Sequence, residues 1–143
     1  SPKYSHHLAV AGFLGRMLAQ VALPFRPDLI VPVPLSPARL AERGFNQALE
    51  IARPLLRALE VPVELDRIHR SRDTSPQAAL PWKQRAKNVR HAFVCELDLS
   101  GRAVLVVDDV MTTGATLDEL ARTLKAHGAA RVGNLVVART LRD

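Results

Sequence analysis

Thirteen consecutive residues, Val104-Leu105-Val106-Val107-Asp108-Asp109-Val110-Met111-Thr112-Thr113-Gly114-Ala115-Thr116, constrain the fold of this chain more than any other stretch. A short apolar run stops at two acids. A hydroxyl-rich turn with one glycine follows, and then a helical pattern starts at Leu117. Such a run is the length of a strand buried on both faces of a parallel sheet. The turn then sets backbone N–H groups and hydroxyls at a helix N-terminus, where anions bind. Two carboxylates beside an anion site would repel a bare phosphate. They fit if they accept hydrogen bonds from sugar hydroxyls or hold Mg²⁺, so the stretch predicts a phosphorylated sugar together with a divalent metal.

The flanking sequence supplies a matching scaffold. Asp28 to Pro34 reads as a strand, with Pro32 and Pro34 placing its end early or at an edge. Leu35 to Leu40 is a turn, and an apolar stripe at Phe45, Ala48, Leu49, Ala52, Leu55, Leu56 and Leu59 predicts a long helix, kinked or broken at Pro54. Val61, Val63 and Leu65 alternate with polar residues or Pro62 as a short strand would. Ala92 to Val94 suggests another short strand, and Val132 to Ala138 the last one. Leu117, Leu120, Ala121 and Leu124 predict an amphipathic helix stopped by Gly128. Its N-terminus has two readings: a capping box of Thr116 with Glu119, or Thr113 as N-cap. Ahead of all this, Leu8, Ala11, Leu14, Met17, Leu18 and Val21 recur at helical spacing and predict a core-facing helix ended by Pro24 and Pro27. Strands alternating with helices make an α/β chain with a mainly parallel, doubly wound sheet. No internal repeat or second domain is visible, and residues 1–143 read as one domain.

Composition narrows the function classes. No apolar run is long enough to span a membrane, so no membrane insertion is expected. Lys3, His6 and His7 precede an amphipathic segment, not the apolar core of a signal peptide. A single cysteine, Cys95, excludes an internal disulfide and fits a reducing, cytoplasmic setting. It reads as a small core residue, and the five histidines lack metal-ligand spacing, so no structural zinc site is expected. The net charge of +6 and a pI of about 10.4 suit phosphorylated ligands, nucleic acid or both.

In open α/β sheets, ligands bind beyond the carboxyl ends of the strands. Asp108 and Asp109 fall there, and so does the Pro34–Arg39 turn if its strand runs parallel to the central one. Other phosphate motifs do not apply. No Walker A lysine follows the glycine, no G-x-G-x-x-G opens a helix, and an aspartate-nucleophile phosphatase would need an acid at Val110 or Met111.

The stretch from Val106 to Thr116 resembles the phosphoribosyl-pyrophosphate (PRPP) signature of type I phosphoribosyltransferases. Pro32-Val33-Pro34-Leu35, Arg39 and Arg43-Gly44-Phe45-Asn46-Gln47 resemble the ComF/GntX group of competence-related proteins. So do Arg70, Thr74, Gln77, Leu80, Arg85, Asn88 and Phe93. That group commonly carries an N-terminal cysteine zinc ribbon, which this sequence does not contain. A ribbon-less paralogue and a shortened chain are the two expectations.

The resemblance implies a type I phosphoribosyltransferase fold, a twisted parallel sheet flanked by helices with a mobile loop or hood over residues 67–91. It implies that Asp108 and Asp109 bind the ribose hydroxyls, partly through Mg²⁺, and are the catalytic acids. Thr112, Thr113, Gly114, Ala115 and Thr116 would cradle the 5′-phosphate of PRPP or of a nucleoside 5′-phosphate. Leu35 and Ser36 would form the pyrophosphate loop. Arg39 and Arg43, one helical turn apart, would hold the pyrophosphate or an acidic partner, or else form a solvated basic face. Gln77, Arg85 and Asn88 would contribute from the mobile segment to the second-substrate site, and Trp82 would stack on a base or anchor the loop. Two functions follow: an Mg²⁺-dependent phosphoribosyltransferase associated with DNA uptake and acting on an unidentified acceptor, or a non-catalytic PRPP- or nucleotide-sensing module that contacts single-stranded DNA. Few aromatic residues argue against strong single-strand stacking.

Overall fold

In the computed structural model, residues 7–11, 23–43, 49–50, 53, 57–71, 89–109 and 112–138 are described. In chain order the elements are β1 (His7–Ala11), β2 (Leu29–Pro32), α1 (Pro37–Arg43), β3 (Ile68–Arg70), β4 (Phe93–Cys95), β5 (Ala103–Asp109), α2 (Gly114–Ala126) and β6 (Arg131–Ala138). Hydrophobic runs such as LIVP and AVLVV leave no polar face, so both faces of these strands must be covered. The result is a four-stranded parallel sheet in the order β1-β6-β5-β2. Leu29 to Pro32 pair with Val104 to Val107, and Ala103 to Asp109 pair with Arg131 to Val137.

Strand alternation sorts the apolar side chains into two layers. Leu29, Val31, Val33, Val104 and Val106 face Leu117, Leu120, Ala121 and Leu124 of α2. Ile30, Leu105, Val107 and Leu135 pack with Val61 on the other face. The outer edge of β2 carries a parallel bridge between Ile30 and Val63. Ile30 spends its N–H on Pro62 O, on that outer side, and Val33 spends its own on Val107 O of β5. Alternation then turns the missing N–H of Pro32 outward, so it costs the ladder with β5 nothing.

Chain direction positions the site. After β2 the chain moves outward to Val63, whereas after β5 it moves through α2 to β6 on the opposite side. The loops following β2 and β5 therefore diverge, opening the crevice where doubly wound sheets bind ligands. Residues 68–70, within the stretch expected to be a mobile loop, form β3, antiparallel to β4 with Ile68 opposite Cys95 and Arg70 opposite Phe93.

Several expectations need correction. Leu8 to Ala11 lie in β1, parallel to β6, not in a helix. The continuous apolar run LAVA suits a buried strand as well as a helix face, and pairing with Leu135 to Ala138 decides it. Among the described residues, Val61 to Leu65 make one bridge and no strand. The helix after β2 starts inside the predicted turn, at Pro37, where the missing proline N–H has no helical partner to lose. The Pro54 break lies outside the described residues. Among the described residues, no helix is long and apolar enough to cross a membrane.

The end of α2 is built as a Schellman motif. Gly128 N–H reaches Lys125 O at 3.0 Å and Ala129 N–H reaches Leu124 O at 3.1 Å. Gly128 has φ +104°, and a Cβ there would stand 2.8 Å from the Ser100 backbone. Gly128→Ala is expected to lose at least about 1–3 kcal/mol of stability from the backbone strain alone, read by urea unfolding.

Candidate functional site

The site is assembled at the carboxyl ends of β5 and β2. Strand alternation carries Asp108 to the same face as Val104 and Val106, beside α2. It is 2% exposed. Thr112 Oγ1 donates to Asp108 Oδ1 at 2.6 Å, closing the short connection between the strand and the helix. Asp109 ends β5, with its backbone opposite Val137.

The choice of cap is settled by geometry. Thr113 is extended, with φ −85° and ψ 159°, and its hydroxyl accepts from Thr116 N–H at 3.2 Å. The hydroxyls of Thr113 and Thr116 are also paired, at 3.1 Å. Thr113 is thus the N-cap, and the capping box is not made. Thr113→Ala is expected to cost about 1 kcal/mol of stability, measured by thermal unfolding without ligand.

Helix geometry gives the first N–H groups, those of Gly114 and Ala115, no acceptor within α2. Among the described residues, a Cβ on Gly114 would meet nothing within 4 Å, and Gly114 is exposed at the start of the helix. Thr112 and Thr113 are half-buried at this mouth, while the side chains of Ala115 and Thr116 are buried. Ala115 can therefore offer a ligand its backbone only. Thr116 has both its N–H and its hydroxyl engaged by the cap.

Across the crevice, Ser36 is 1% exposed, and its carbonyl accepts from Leu40 N–H at 2.9 Å as α1 begins. Leu35 is half-buried. Parallel pairing of β2 with β5 thus brings the Leu35–Ser36 turn to the same sheet edge as Asp108 and the Thr113 cap. Arg39 and Arg43 lie on α1, one turn apart. A cavity of about 260 Å³ opens on the outer side of this turn, walled by Pro34, Leu35, Leu40 and Leu65 with His69 and Arg70. Leu40 and Leu65 are exposed. Gln77, Arg85, Asn88 and Trp82 lie outside the described residues.

One acid near the site has a role the sequence did not suggest. Glu119 is 8% exposed. Its Oε2 accepts from His91 N–H at 3.0 Å and from Arg122 at 2.6 Å, and its Oε1 accepts from Arg122 Nε at 3.0 Å. Burial pushes the Glu119 carboxyl up, but Arg122 and the His91 N–H outweigh it and hold it below the usual carboxylate range. The expected capping box gave Glu119 a partner on its own helix, whereas its carboxylate is taken by His91 N–H and Arg122. Cys95, by contrast, is the core residue expected. It is buried, and burial pushes its thiol up, away from the reactive thiolate.

Residues 45–143 match the phosphoribosyl transferase domain. The chain belongs to this family. Among its relatives it is similar to the DNA utilization protein YhgH of Escherichia coli K12, 38% identical over 146 residues, which cover 97% of this chain and 64% of that protein. It is also similar to competence protein F of Haemophilus influenzae, 37% identical over 74% of this chain and 48% of the relative. Competence protein ComFC of Bacillus subtilis is 33% identical over 82% of this chain and 47% of the relative. These relatives agree with the ComF group that the motifs resemble. The chain thus spans between about half and two-thirds of their lengths. Among solved structures, the purine phosphoribosyltransferase of Pyrococcus horikoshii superposes with a TM-score of 0.52 at 18% identity, covering 92% of this chain and 88% of that one. The allosteric regulatory enzyme of purine biosynthesis gives 0.56 at 24% identity, covering 86% of this chain and 24% of that one. The fold is that of the type I phosphoribosyltransferases.

Proposed function

We propose that this domain binds PRPP with Mg²⁺ in the crevice between β5 and β2 and transfers its phosphoribosyl group to an acceptor. The observation that carries the reading is the placement of Asp108. It is a buried carboxylate at the end of the central strand, tied to Thr112, shortly before a helix N-terminus whose first residue, Gly114, is exposed. A phosphorylated sugar matches that order of groups. Its hydroxyls meet the Asp108–Asp109 acids, and its 5′-phosphate meets the Thr112–Thr113 hydroxyls and the Gly114 and Ala115 N–H groups. The Leu35–Ser36 turn, at the same edge, then faces the pyrophosphate.

The donor set fits Mg²⁺. Carboxylate oxygens are hard ligands, and among the described residues no group of three or more His, Cys, Asp or Glu could form an all-protein cage. Mg²⁺ commonly takes one or two carboxylates and fills its shell with water and substrate phosphate oxygens. When bound, it supplies positive charge to the departing pyrophosphate. In the transfer, the bond from the anomeric carbon to pyrophosphate breaks and its electron pair leaves with pyrophosphate. A lone pair of the acceptor forms the new bond, and the acceptor gives up a proton. The acids and the phosphate cradle hold the sugar at both ends, which fixes the anomeric carbon between pyrophosphate and acceptor. The segment carrying Gln77, Arg85 and Asn88 supplies the rest of the second-substrate site.

Calorimetric titration with PRPP and Mg²⁺, followed by pyrophosphate release across a panel of bases and amines, tests the reading. No binding by the wild type would sink it. The names of the relatives, DNA utilization and competence proteins, favour a setting in DNA uptake or use. They also favour a second reading, a PRPP- or nucleotide-sensing module that contacts single-stranded DNA without turnover. Net charge +6 supports it. PRPP binding and steeply salt-dependent DNA binding, without pyrophosphate release under any acceptor, would select it over the enzyme.

A further inference from the structure

Thr112 and Thr113 are neighbours where the chain passes from the central strand to α2, yet their hydroxyl hydrogens have different partners. Asp108 is 2% exposed, and a buried carboxylate needs donors around it. Thr112 Oγ1 stands 2.6 Å from Asp108 Oδ1, the length of a charge-assisted O–H···O⁻ bond. A carboxylate only accepts and a hydroxyl has one hydrogen, so the hydrogen of this contact belongs to Thr112 and is already committed. Toward a phosphate oxygen, itself an acceptor, Thr112 Oγ1 then presents only lone pairs. Thr113 is the opposite case. Its oxygen accepts from Thr116 N–H at 3.2 Å and lies 3.1 Å from Thr116 Oγ1. Thr116 is 3% exposed, and its buried hydroxyl hydrogen needs an acceptor, which Thr113 Oγ1 supplies. Thr113, half-buried at the mouth, therefore keeps its own hydrogen for a ligand.

The bond to Asp108 also fixes an orientation. The terminal torsion of an aspartate is broad, without the sharp staggered wells of an aliphatic side chain. Pairing with Val136 of β6 holds the Asp108 backbone but leaves that rotation open. Thr112, four positions on and one before the N-cap, clamps it. We propose that Thr112 is a positioning residue: its hydroxyl sets the Asp108 carboxylate for the ribose hydroxyls, while Thr113 donates to the 5′-phosphate. The inference rests on the PRPP reading above and assigns the two hydroxyls to opposite ends of the sugar.

The experiment is calorimetry, with Mg²⁺, of ribose 5-phosphate and of tetrahydrofurfuryl phosphate, which keeps the ring and the phosphate but lacks the ring hydroxyls. Thr112→Val exchanges the hydroxyl for a methyl group of similar size. It is expected to weaken ribose 5-phosphate about tenfold, the scale of one charge-assisted hydrogen bond. Tetrahydrofurfuryl phosphate should stay within about twofold of wild type, and Thr112→Ser should restore ribose 5-phosphate to the same margin. Thr113→Val should weaken both ligands alike. A double-mutant cycle with PRPP gives a second measurement, and it decides alone where the hydroxyl-free ligand binds too weakly to read. Thr112→Val should weaken PRPP about tenfold in the wild type but less than about twofold in Asp108→Asn, because the charged group that Thr112 positions is gone. If Thr112→Val does not fold, Thr112→Ala takes its place in both measurements. Equal weakening of both phosphates, or a fully additive loss in Asp108→Asn, makes Thr112 a phosphate donor or a merely structural residue and overturns the proposal, as does unchanged affinity. A wild type that binds neither PRPP nor ribose 5-phosphate removes the PRPP reading and this inference with it.

Discussion

Asp108→Asn is expected to weaken PRPP binding in the presence of Mg²⁺ by about thirtyfold or more, and the Asp108→Asn/Asp109→Asn double variant to abolish it. Removing one partner of a buried, charged hydrogen-bonded contact costs about 2–5 kcal/mol, and the lower end of that range is already about thirtyfold. The substitution keeps the shape of the side chain. An amide oxygen can still accept from the Thr112 hydroxyl, which now stands 2.6 Å from Asp108 Oδ1, so the strand-to-helix connection should survive. Charge is what changes. The amide holds Mg²⁺ and sugar hydroxyls poorly, and its N–H₂ group donates where the ribose also donates. Calorimetry reads the affinity, and thermal unfolding without ligand should show little change. Wild-type affinity in the double variant would remove the acids from the site and, with them, the reason for placing a sugar there.

The parts of this site visible from residues alone are those whose chemistry is local. Val104 to Val107 had to be a buried strand because the run is apolar on every residue, and it is one, with Asp108 and Asp109 extending it. The turn after it carried its own capping chemistry. Only the choice between Thr113 and Thr116 depends on the fold, since either hydroxyl can serve an N-terminus. Gly128 stopped α2 as expected, for a positive φ that the sequence can suggest and the backbone confirms.

What escaped was set by contacts distant in sequence. Leu8 and Ala11 fit a helical period, but β6 offers Leu135 and Ala138 as partners, and the pairing overrides periodicity. β3 is three residues long with one apolar side chain, too short for any pattern. It exists because β4 runs antiparallel beside it. Glu119 looked like half of a capping box with Thr116. Its real partner, the His91 N–H, is 28 positions away in sequence and could not be read from spacing.

Leu120→Ala is expected to lower stability by about 2–5 kcal/mol, the usual range for a buried leucine truncated to alanine. Leu120 is 0% exposed and lies where α2 packs against Val104 and Val106 of the central strand. Its removal leaves a cavity under the helix that carries the Thr113 cap. Close packing resists collapse around such a void, so both the lost burial and the cavity count against the fold. In a domain whose total stability is of order 5–15 kcal/mol, the loss is a large fraction. At roughly 3 °C per kcal/mol for a chain of this size, Tm should fall by about 6–15 °C. Leu40→Ala, at a residue 44% exposed, should stay within about 0.5 kcal/mol and serves as the control. The same variant also tests the ligand. If PRPP and Mg²⁺ bind the native fold at the end of this helix, saturating them at about 100 times Kd restores about 2.7 kcal/mol by mass action. Thermal unfolding of Leu120→Ala should therefore recover all of a loss near the low end of its range, and about half of one near the top, when both are added. The Asp108→Asn/Asp109→Asn protein should gain nothing. Recovery in the acid-free protein would place the ligand elsewhere on the molecule. Absence of recovery in Leu120→Ala, with wild-type binding intact, would mean that the cavity disorders the cradle itself.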